Sequence, residues 1–336
     1  MGRAVGIKAV AEAAGVSTTT VSHALNGKGR LSVQTRRHVR EVAERLGYQP
    51  SVMARALAGG RTGMLAMLLA GAKDFALKVG DFDYFLQLMN GAASGALQRG
   101  FSLTMLQADD DLELLDGVPL DGAIVIDPIA ADPIVARLSE RGVPVVTTGR
   151  VVDGPADACW VDNDHVAGTR AVLDHIAAAG ARRVALLTAP PLASYALDAQ
   201  SAYLAWCAER NQEPMVAQIR DSVSEGSAYT AALELLDADE PPDGIYGTLD
   251  RLALGALLAA ESRGIDVPHA LRIAGCTDSD ASRRARPALT ALSLNPDQLG
   301  REAVDLLLAL VEQSEPPEPH RIVPATVVAR ESTAGR

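Results

Sequence analysis

The feature that most constrains the fold lies between Ile7 and Leu25, where two short helical patterns meet at one glycine. Apolar residues recur at helical intervals from Ile7 to Ala14, Gly15 suits a left-handed turn, and Ser17 suits the N-cap of a second helix. Packing the apolar faces together leaves one polar side of the second helix exposed. That side carries Ser17, Thr18, Thr19, Thr20, Ser22 and His23. This pattern predicts a helix-turn-helix whose second helix contacts bases in the major groove of DNA.

A third helix is predicted from a cap at Ser32 to Leu46, between the helix-breaking segment 26–29 and the stop at Gly47 and Pro50. Its inward side carries Val39, Ala43 and Leu46. Its basic side offers guanidinium groups to phosphates: Arg36, Arg37 and Arg40. Further candidate DNA contacts in this part of the chain are Asn26, Arg30 and Tyr48.

The charge of the chain is divided along its length. Residues 1–62 hold ten Lys and Arg against three acids, a net charge of +7, whereas the remainder holds 21 against 39, a net charge of −18. A basic head on an acidic body indicates a module that binds a polyanion, joined to a body that repels it. A solvated helical surface would explain the basic third helix alone, but not the helix-turn-helix beside it.

Residues 63–336 alternate strand and helix patterns. Strands are predicted at 64–69, 103–106, 123–126, 143–146, 184–187, 244–247 and 271–274, and helices at 84–99, 133–141, 166–179, 198–210, 251–263 and 296–310. Alternation of this kind predicts parallel sheets covered by helices on both faces. The length exceeds one average domain and favours an α/β body of two lobes.

The segment 7–63 resembles the LacI-type bacterial transcription regulators. Five features occur in the order of that family: the Gly-Val-Ser turn, the Thr-Val-Ser helix, the Asn26-Gly27 loop, the Leu46-Gly47-Tyr48-x-Pro50 stop and the Ala54-Arg55-x-Leu57 segment. The body is similar to the periplasmic-binding-protein type sensor of the same family through VDNDHVAG at 161–168, GARRVALL at 180–187, RGIDVP at 263–268 and VVARESTA at 327–334. One departure is His23, where these regulators commonly carry Arg, because His lacks the bidentate fork that Arg offers to guanine.

The resemblance implies an all-α helix-turn-helix head at 1–49, a hinge helix and linker at 50–62, and a two-lobed α/β body with parallel sheets at 63–336. It also implies that the chain crosses between the lobes near 162, 293 and 320. In the hinge, Ser51 and Ala54 are expected to approach DNA, and Leu57 is expected to enter the minor groove as an apolar wedge. The alternative is an ordinary linker helix. An isolated helix this short is marginal in water, which makes the segment a plausible switch.

The resemblance places an effector cleft between the lobes, but three polar anchors of the family are altered there. The corresponding positions hold Ala199, Leu249 and Thr277. A site that has lost such groups discriminates poorly among hydroxyl-rich ligands, so a simple hexose is disfavoured. The remaining candidate effector contacts are Tyr84, Phe85, Asp127, Arg150, Tyr195, Asp250 and Thr277, with Tyr195 expected in a loop. Core packing is the alternative role for the two aromatic residues at 84–85, and a helix N-terminal charge is the alternative for Asp127 and Asp250.

Catalytic, secreted and membrane-spanning roles are not supported by the sequence. The sequence has no Walker A, HExxH or GxSxG motif, its six histidines are scattered, and its three cysteines form no CxxC pair, so we expect no catalytic site, cofactor or metal. No secretory signal or membrane-spanning run is evident, and we expect a cytoplasmic protein. The segment 106–120 is shorter than in the family, which predicts that the first lobe lacks a full crossover helix and leaves the details of the dimer interface open.

The sequence therefore predicts a homodimer or tetramer that binds a pseudo-palindromic double-stranded operator, represses transcription and responds to a small-molecule effector. Whether that effector is an inducer or a corepressor stays open. The second hypothesis is a DNA-binding regulator with a degenerate cleft that responds to a protein partner or to no effector. The third is a solute-binding or enzymatic α/β protein with an appended head.

Overall fold

Three helices form the head: α1 (Ile7–Ala14), α2 (Thr18–Leu25) and α3 (Val33–Arg45). Each contributes a valine with no exposed surface, Val10, Val21 and Val39, to one small core. The α1–α2 turn forms as predicted, because Gly15 adopts a left-handed φ of 65° and the next amide donates to the carbonyl of Ala11 at 3.0 Å. The predicted helix-turn-helix and third helix are confirmed.

The computed structural model describes residues 5–25, 29–48, 61–69, 82–107, 112–190, 192–219, 223–313 and 318–335. The chain divides into two units. One comprises residues 1–64 and 119–121 and contains the head, and the other comprises 65–118 and 122–336.

The body consists of two α/β lobes. The strands are β1 (Met64–Leu69), β2 (Ser102–Leu106), β3 (Gly122–Ile126), β4 (Val145–Thr148), β5 (Trp160–Asn163), β6 (Val184–Thr188), β7 (Met215–Gln218), β8 (Gly244–Gly247), β9 (Arg272–Cys276), β10 (Thr290–Ser293), β11 (His320–Val323) and β12 (Thr326–Val328). The helices are α4 (Phe82–Gln98), α5 (Pro133–Glu140), α6 (His165–Ala178), α7 (Ser194–Glu209), α8 (Glu225–Leu236), α9 (Asp250–Ser262), α10 (Asp280–Arg284) and α11 (Pro296–Val311). Short 3-10 helices lie at Leu112–Gly117 and Glu331–Thr333.

Each lobe is built on a six-stranded sheet. The first lobe has the order β11-β5-β4-β3-β1-β2, and the second has β12-β10-β9-β8-β6-β7. The neighbouring pairs from β11 to β1 and from β10 to β7 are parallel, whereas β10 and β12 are antiparallel. Because the carboxyl ends of parallel strands meet at one edge, polar residues after β3, β4, β8 and β9 gather where the lobes face each other.

The chain passes between the lobes after β5, after β10 and after β11. One buried side chain joins these three crossings. The amide nitrogen Nδ2 of Asn163 donates to the carbonyl of Leu294 at 3.0 Å and to the carbonyl of Val323 at 2.8 Å. The crossings therefore form one hydrogen-bonded junction at the base of the cleft rather than three independent linkers.

The first lobe depends on close packing of α4 against α11. Gly91 lies over the carbonyl of Asp297, and Gly300 lies over the carbonyl of Leu88. A Cβ at either glycine would overlap the backbone of the facing helix, so both positions require glycine for this approach.

Some predicted boundaries were wrong. Strand β4 begins two residues later than predicted, because the amide of Val143 instead closes the turn after α5 by donating to the carbonyl of Leu138 at 3.0 Å. Helix α7 begins at Ser194 rather than at residue 198, so Tyr195 lies in its first turn and not in a loop. Between β2 and β3, the only helix among the described residues is the 3-10 helix, which agrees with the prediction that the first lobe lacks a full crossover helix there. Within the described segments, no helix has the length and apolar character needed to cross a membrane.

Candidate DNA-binding surface and ligand cleft

The start of α2 is fixed by its own side chains. Ser17 accepts the backbone amide of Thr20 at 3.1 Å, and the two hydroxyls hydrogen-bond to each other at 2.9 Å. Ser17, Thr18 and Thr19 are exposed, whereas Thr20 is half-buried. Ser17 and Thr20 thus act in capping, and Thr18 and Thr19 project from the first turn with their side chains open to a groove.

The end of α2 is held by a residue of α3. Arg36 donates from Nη2 to the carbonyl of Gly29 at 3.1 Å and from Nη1 to the carbonyl of His23 at 3.4 Å. Arg36 was expected to face phosphates, but its half-buried guanidinium joins the end of α2 to the approach of α3. The ring of His23 packs against Gly29, where a Cβ would come within 2.6 Å of Nδ1. The ring of His23 therefore lies against the segment that leads into α3.

The other predicted DNA contacts are distributed around this frame. Ser22 is half-buried on α2, Arg30 is exposed before α3, and Arg37 and Arg40 are exposed along α3. Tyr48 is half-buried after α3, and burial raises the pKa of its hydroxyl. Four predicted contacts lie outside the described residues: Asn26, Ser51, Ala54 and Leu57.

Between the lobes the structure forms a cleft of about 480 Å³, counted to its open mouth. The predicted residues that line it are Tyr84, Phe85, Asp127, Tyr195 and Thr277. Tyr84 and Phe85 meet edge to face with ring centroids 5.5 Å apart. Burial, followed by the charges of Asp127 and Asp162, raises the pKa of the Tyr84 hydroxyl well above its usual value, so this hydroxyl stays protonated.

Arg150 follows β4 in the first lobe, but its guanidinium is paired with a carboxylate of the second lobe. Its guanidinium forms a bidentate pair with Asp198 of α7, with N–O distances of 2.7 Å and 2.5 Å, and Asp162 lies 4.0 Å away. The hydrogen bonds to Asp198 raise the pKa of Arg150. A second connection between the lobes lies on α4, where Asp83 accepts the amide of Asp280 at 3.1 Å and lies 3.4 Å from Arg283.

Asp250 was predicted to contact the effector, but it lies beneath the lining rather than in it. Its side chain is 1 % exposed, and it accepts the backbone amide of Ser279. Burial raises its pKa to about 6, against the lowering effect of hydrogen bonds from Ser279, Ser282 and Thr277. Asp250 therefore supports the turn after β9, in which Thr277 adopts a φ of 89° and points its backbone amide to the carbonyl of Leu292 at 2.9 Å.

Four lining residues were not predicted: His165, Thr248, Cys276 and Leu294. His165 lies 3.4 Å from Asp162, which also accepts the amide of Asn163 at 2.7 Å and the hydroxyl of Ser194 at 3.4 Å. Leu249 and Ala199 were identified as altered anchors, and Ala199 is buried on α7. Thr248 directly follows β8, and Cys276 is the last residue of β9. Their positions at strand ends, next to Leu249 and Thr277, could have identified these two as lining residues.

Two family models match the chain. The model described as bacterial regulatory proteins, lacI family, matches residues 6–51, and the model described as a periplasmic binding protein-like domain matches residues 173–333.

Curated relatives match nearly the whole length. The HTH-type transcriptional regulator CelR of Thermobifida fusca is 28% identical over 337 residues, which cover 97% of each chain. The HTH-type transcriptional repressor PurR of Escherichia coli O139:H28 is 28% identical over 345 residues, covering 98% of this chain and 97% of the relative.

Solved structures give the same result for the fold. The lac repressor dimer bound to operator and the anti-inducer ONPF is 25% identical, with a TM-score of 0.79 over 98% of this chain and 99% of that one. The complex of the regulator CelR with cellobiose is 24% identical, with a TM-score of 0.73 over the same shares. The predicted fold class is thereby confirmed.

The head, the body and these comparisons lead to one conclusion: the chain combines a LacI-family helix-turn-helix domain with a periplasmic binding protein-like domain. It is a DNA-binding transcription regulator with an effector-binding sensor domain, and the relatives it resembles are transcription regulators rather than enzymes.

Proposed function

We propose that the chain represses transcription as a dimer bound to a pseudo-palindromic operator, and that a small molecule in the cleft changes its affinity for that operator. The observation that carries this proposal is the exposed start of α2, where Thr18 and Thr19 project from a turn capped by Ser17. Two such heads, one from each protomer, suit half-sites about one helical turn apart. The operator lies on cellular DNA, so we place the protein in the cytoplasm.

We assign residues 1–49 to the head, 50–62 to the hinge and 63–336 to the sensor. In the hinge, Leu57 acts as the apolar wedge, with Ser51 and Ala54 close to the groove. Binding in the cleft is coupled to the operator by linkage, so ligand and operator change each other's affinity by the same factor. An inducer lowers operator affinity, whereas a corepressor raises it.

Base selection tests the head. Operator sequences are selected from random duplexes with the wild-type chain and with Thr19→Ala and His23→Arg. We expect each variant to shift the preferred base at one position per half-site, because a base contact is worth about 1–3 kcal/mol of discrimination. Arg40→Ala is the matched control, since loss of an exposed phosphate contact weakens all sequences alike and lowers the salt slope by about one. An unchanged consensus in both variants would contradict base recognition by α2.

Leu57→Ala tests the hinge. We expect it to lower operator affinity and reduce DNA bending, measured by circular-permutation mobility, because unstacking of a base step depends on the inserted apolar wedge. Unchanged bending would remove the wedge role from Leu57.

A further inference from the structure

We propose that the cleft binds a compact organic cation, a primary amine or quaternary ammonium compound with an apolar or aromatic body, and that it rejects carboxylates and phosphates. This inference rests on the proposed function, because it names the class of the effector that the cleft takes.

Arg150, which lies beside this cleft, is already paired within the protein. Both nitrogens at the end of its guanidinium face the carboxylate of Asp198, and a bidentate fork of this kind is the geometry in which Arg binds a ligand carboxylate or phosphate. Asp198 is largely buried, with a side-chain exposure of 14%. An anionic ligand would have to displace this internal carboxylate and leave Asp198 without its counter-ion, which is costly in a partly buried site.

The charged groups around the cleft favour a cation. Among the described residues at the cleft, the carboxylates of Asp127, Asp162 and Asp198 lie near the guanidinium of Arg150, and the imidazole of His165 lies 3.4 Å from Asp162. Asp127 lies in the lining itself, and Asp162 is buried with 4 % exposure beside it. The charges of both raise the pKa of the Tyr84 hydroxyl, which shows that their fields reach the aromatic side of the cleft. A cation entering there meets attraction from both groups, whereas an anion meets repulsion.

The surface around these charges is aromatic and apolar. Three aromatic rings, Tyr84, Phe85 and Tyr195, line the cleft together with Leu249, Leu294 and Cys276. Aromatic faces attract ammonium groups, and apolar side chains favour a ligand with a hydrocarbon body. Burial and the charge of Asp250 raise the pKa of the Cys276 thiol to about 12, so this residue contributes an uncharged, apolar surface. The free space within the cleft is small, which restricts the ligand to a compact molecule.

Titration calorimetry on the full-length chain tests the proposal with two matched sets of probes. The first set shares a phenol ring and a short chain that ends in an ammonium, a methyl or a carboxylate group: tyramine, para-propylphenol and para-hydroxyphenylpropanoate. The second set is choline and its neutral carbon isostere dimethylbutanol. We expect the cation of at least one set to bind at least about tenfold tighter than its neutral partner, and the carboxylate to show no binding.

Two variants test which residues cause the preference for a cation. Asp127→Asn should reduce the preference for the cation over its neutral isostere, whereas Asp239→Asn, which removes an equal charge from an exposed turn before β8, should leave it unchanged. Asp198→Asn should release Arg150 from its carboxylate and allow the phenolic carboxylate to bind. Thermal unfolding and operator affinity without probe serve as controls for folding.

Equal or tighter binding of the neutral or anionic members would overturn the proposal, and so would no binding of any probe by a wild-type chain that binds its operator. Preserved cation preference in Asp127→Asn would remove Asp127 from the site and also overturn it. Loss of specific operator binding by the wild-type chain would instead contradict the proposed function, so the two failures are distinguishable.

Discussion

The head and the cleft differ in how their functional residues are held. In the head, the contacts that orient α2 come from residues close along the chain: Ser17 binds Thr20, and Arg36 reaches back 13 positions to His23. In the cleft, Arg150 pairs with Asp198 across 48 positions, and Asn163 bonds to Val323 across 160. A local frame can persist while surface residues change, whereas a cleft assembled from distant strand ends changes its chemistry with each lining residue.

This difference explains why family resemblance is strong in one region and uneven in the other. The head keeps its turn, caps and core, and its main departure is the single side chain of His23. In the cleft, Leu249 holds one of the three positions that the family resemblance identifies as altered, and the guanidinium of Arg150 is paired with a carboxylate of the opposite lobe.

The strongest test of their independence is Val39→Asp. Val39 has no exposed surface in the small core of the head, and an unpaired carboxylate there should cost more than about 4 kcal/mol, enough to unfold a head of this size. Operator binding should be lost, while probe binding in the cleft, measured by calorimetry, should remain. Val33→Asp, on the same helix but 86% exposed, is the control and should keep the helical head folded by circular dichroism. Loss of cleft binding in Val39→Asp would show that the two regions are not independent.

The next largest effect is expected at Asp250, which lies beneath the lining of the cleft. Burial raises its pKa from 3.8 to about 6, so the folded state holds this proton more tightly than the unfolded state does. The stabilising effect of the proton is complete below about pH 4 and is lost as the pH rises through about 6, a change of roughly 3 kcal/mol.

Asp250→Asn should remove this dependence, because an amide cannot titrate and its oxygen can still accept the amide of Ser279. Urea unfolding of the body at about pH 4.5 and about pH 7, near the two ends of this window, measures the change. The wild-type free energy of unfolding should fall relative to the variant as the pH rises. A difference between the two proteins that does not vary with pH would contradict the raised pKa, and head stability should be unaffected.

The difference between local contacts in the head and long-range contacts in the cleft also determines how much of the structure could be predicted from the sequence. The helices of the head were predicted to within a residue or two, since Gly15, Ser17 and Ser32 act on their immediate neighbours. In the body the alternation of strands and helices predicted the parallel sheets. The predicted start of a helix at residue 198 was wrong, because Asp198 lies inside α7 and binds Arg150. Pairings across the cleft depend on how the lobes meet, and no short stretch of sequence contains that information.

The smallest expected effect separates capping from DNA contact within the head. Ser17 and Ser32 cap α2 and α3 in the same way: each accepts an amide three residues on, at 3.1 Å and 3.0 Å, and each bonds a threonine hydroxyl. Ser17→Ala and Ser32→Ala should therefore each cost about 1 kcal/mol of head stability, measured by thermal unfolding. Only Ser17 lies beside Thr18 and Thr19 at the exposed start of α2, so Ser17→Ala should weaken operator binding beyond what Ser32→Ala does. If the two variants lose equal operator affinity, the contribution of Ser17 is that of a cap alone, and the DNA-contacting part of the turn narrows to the two threonines.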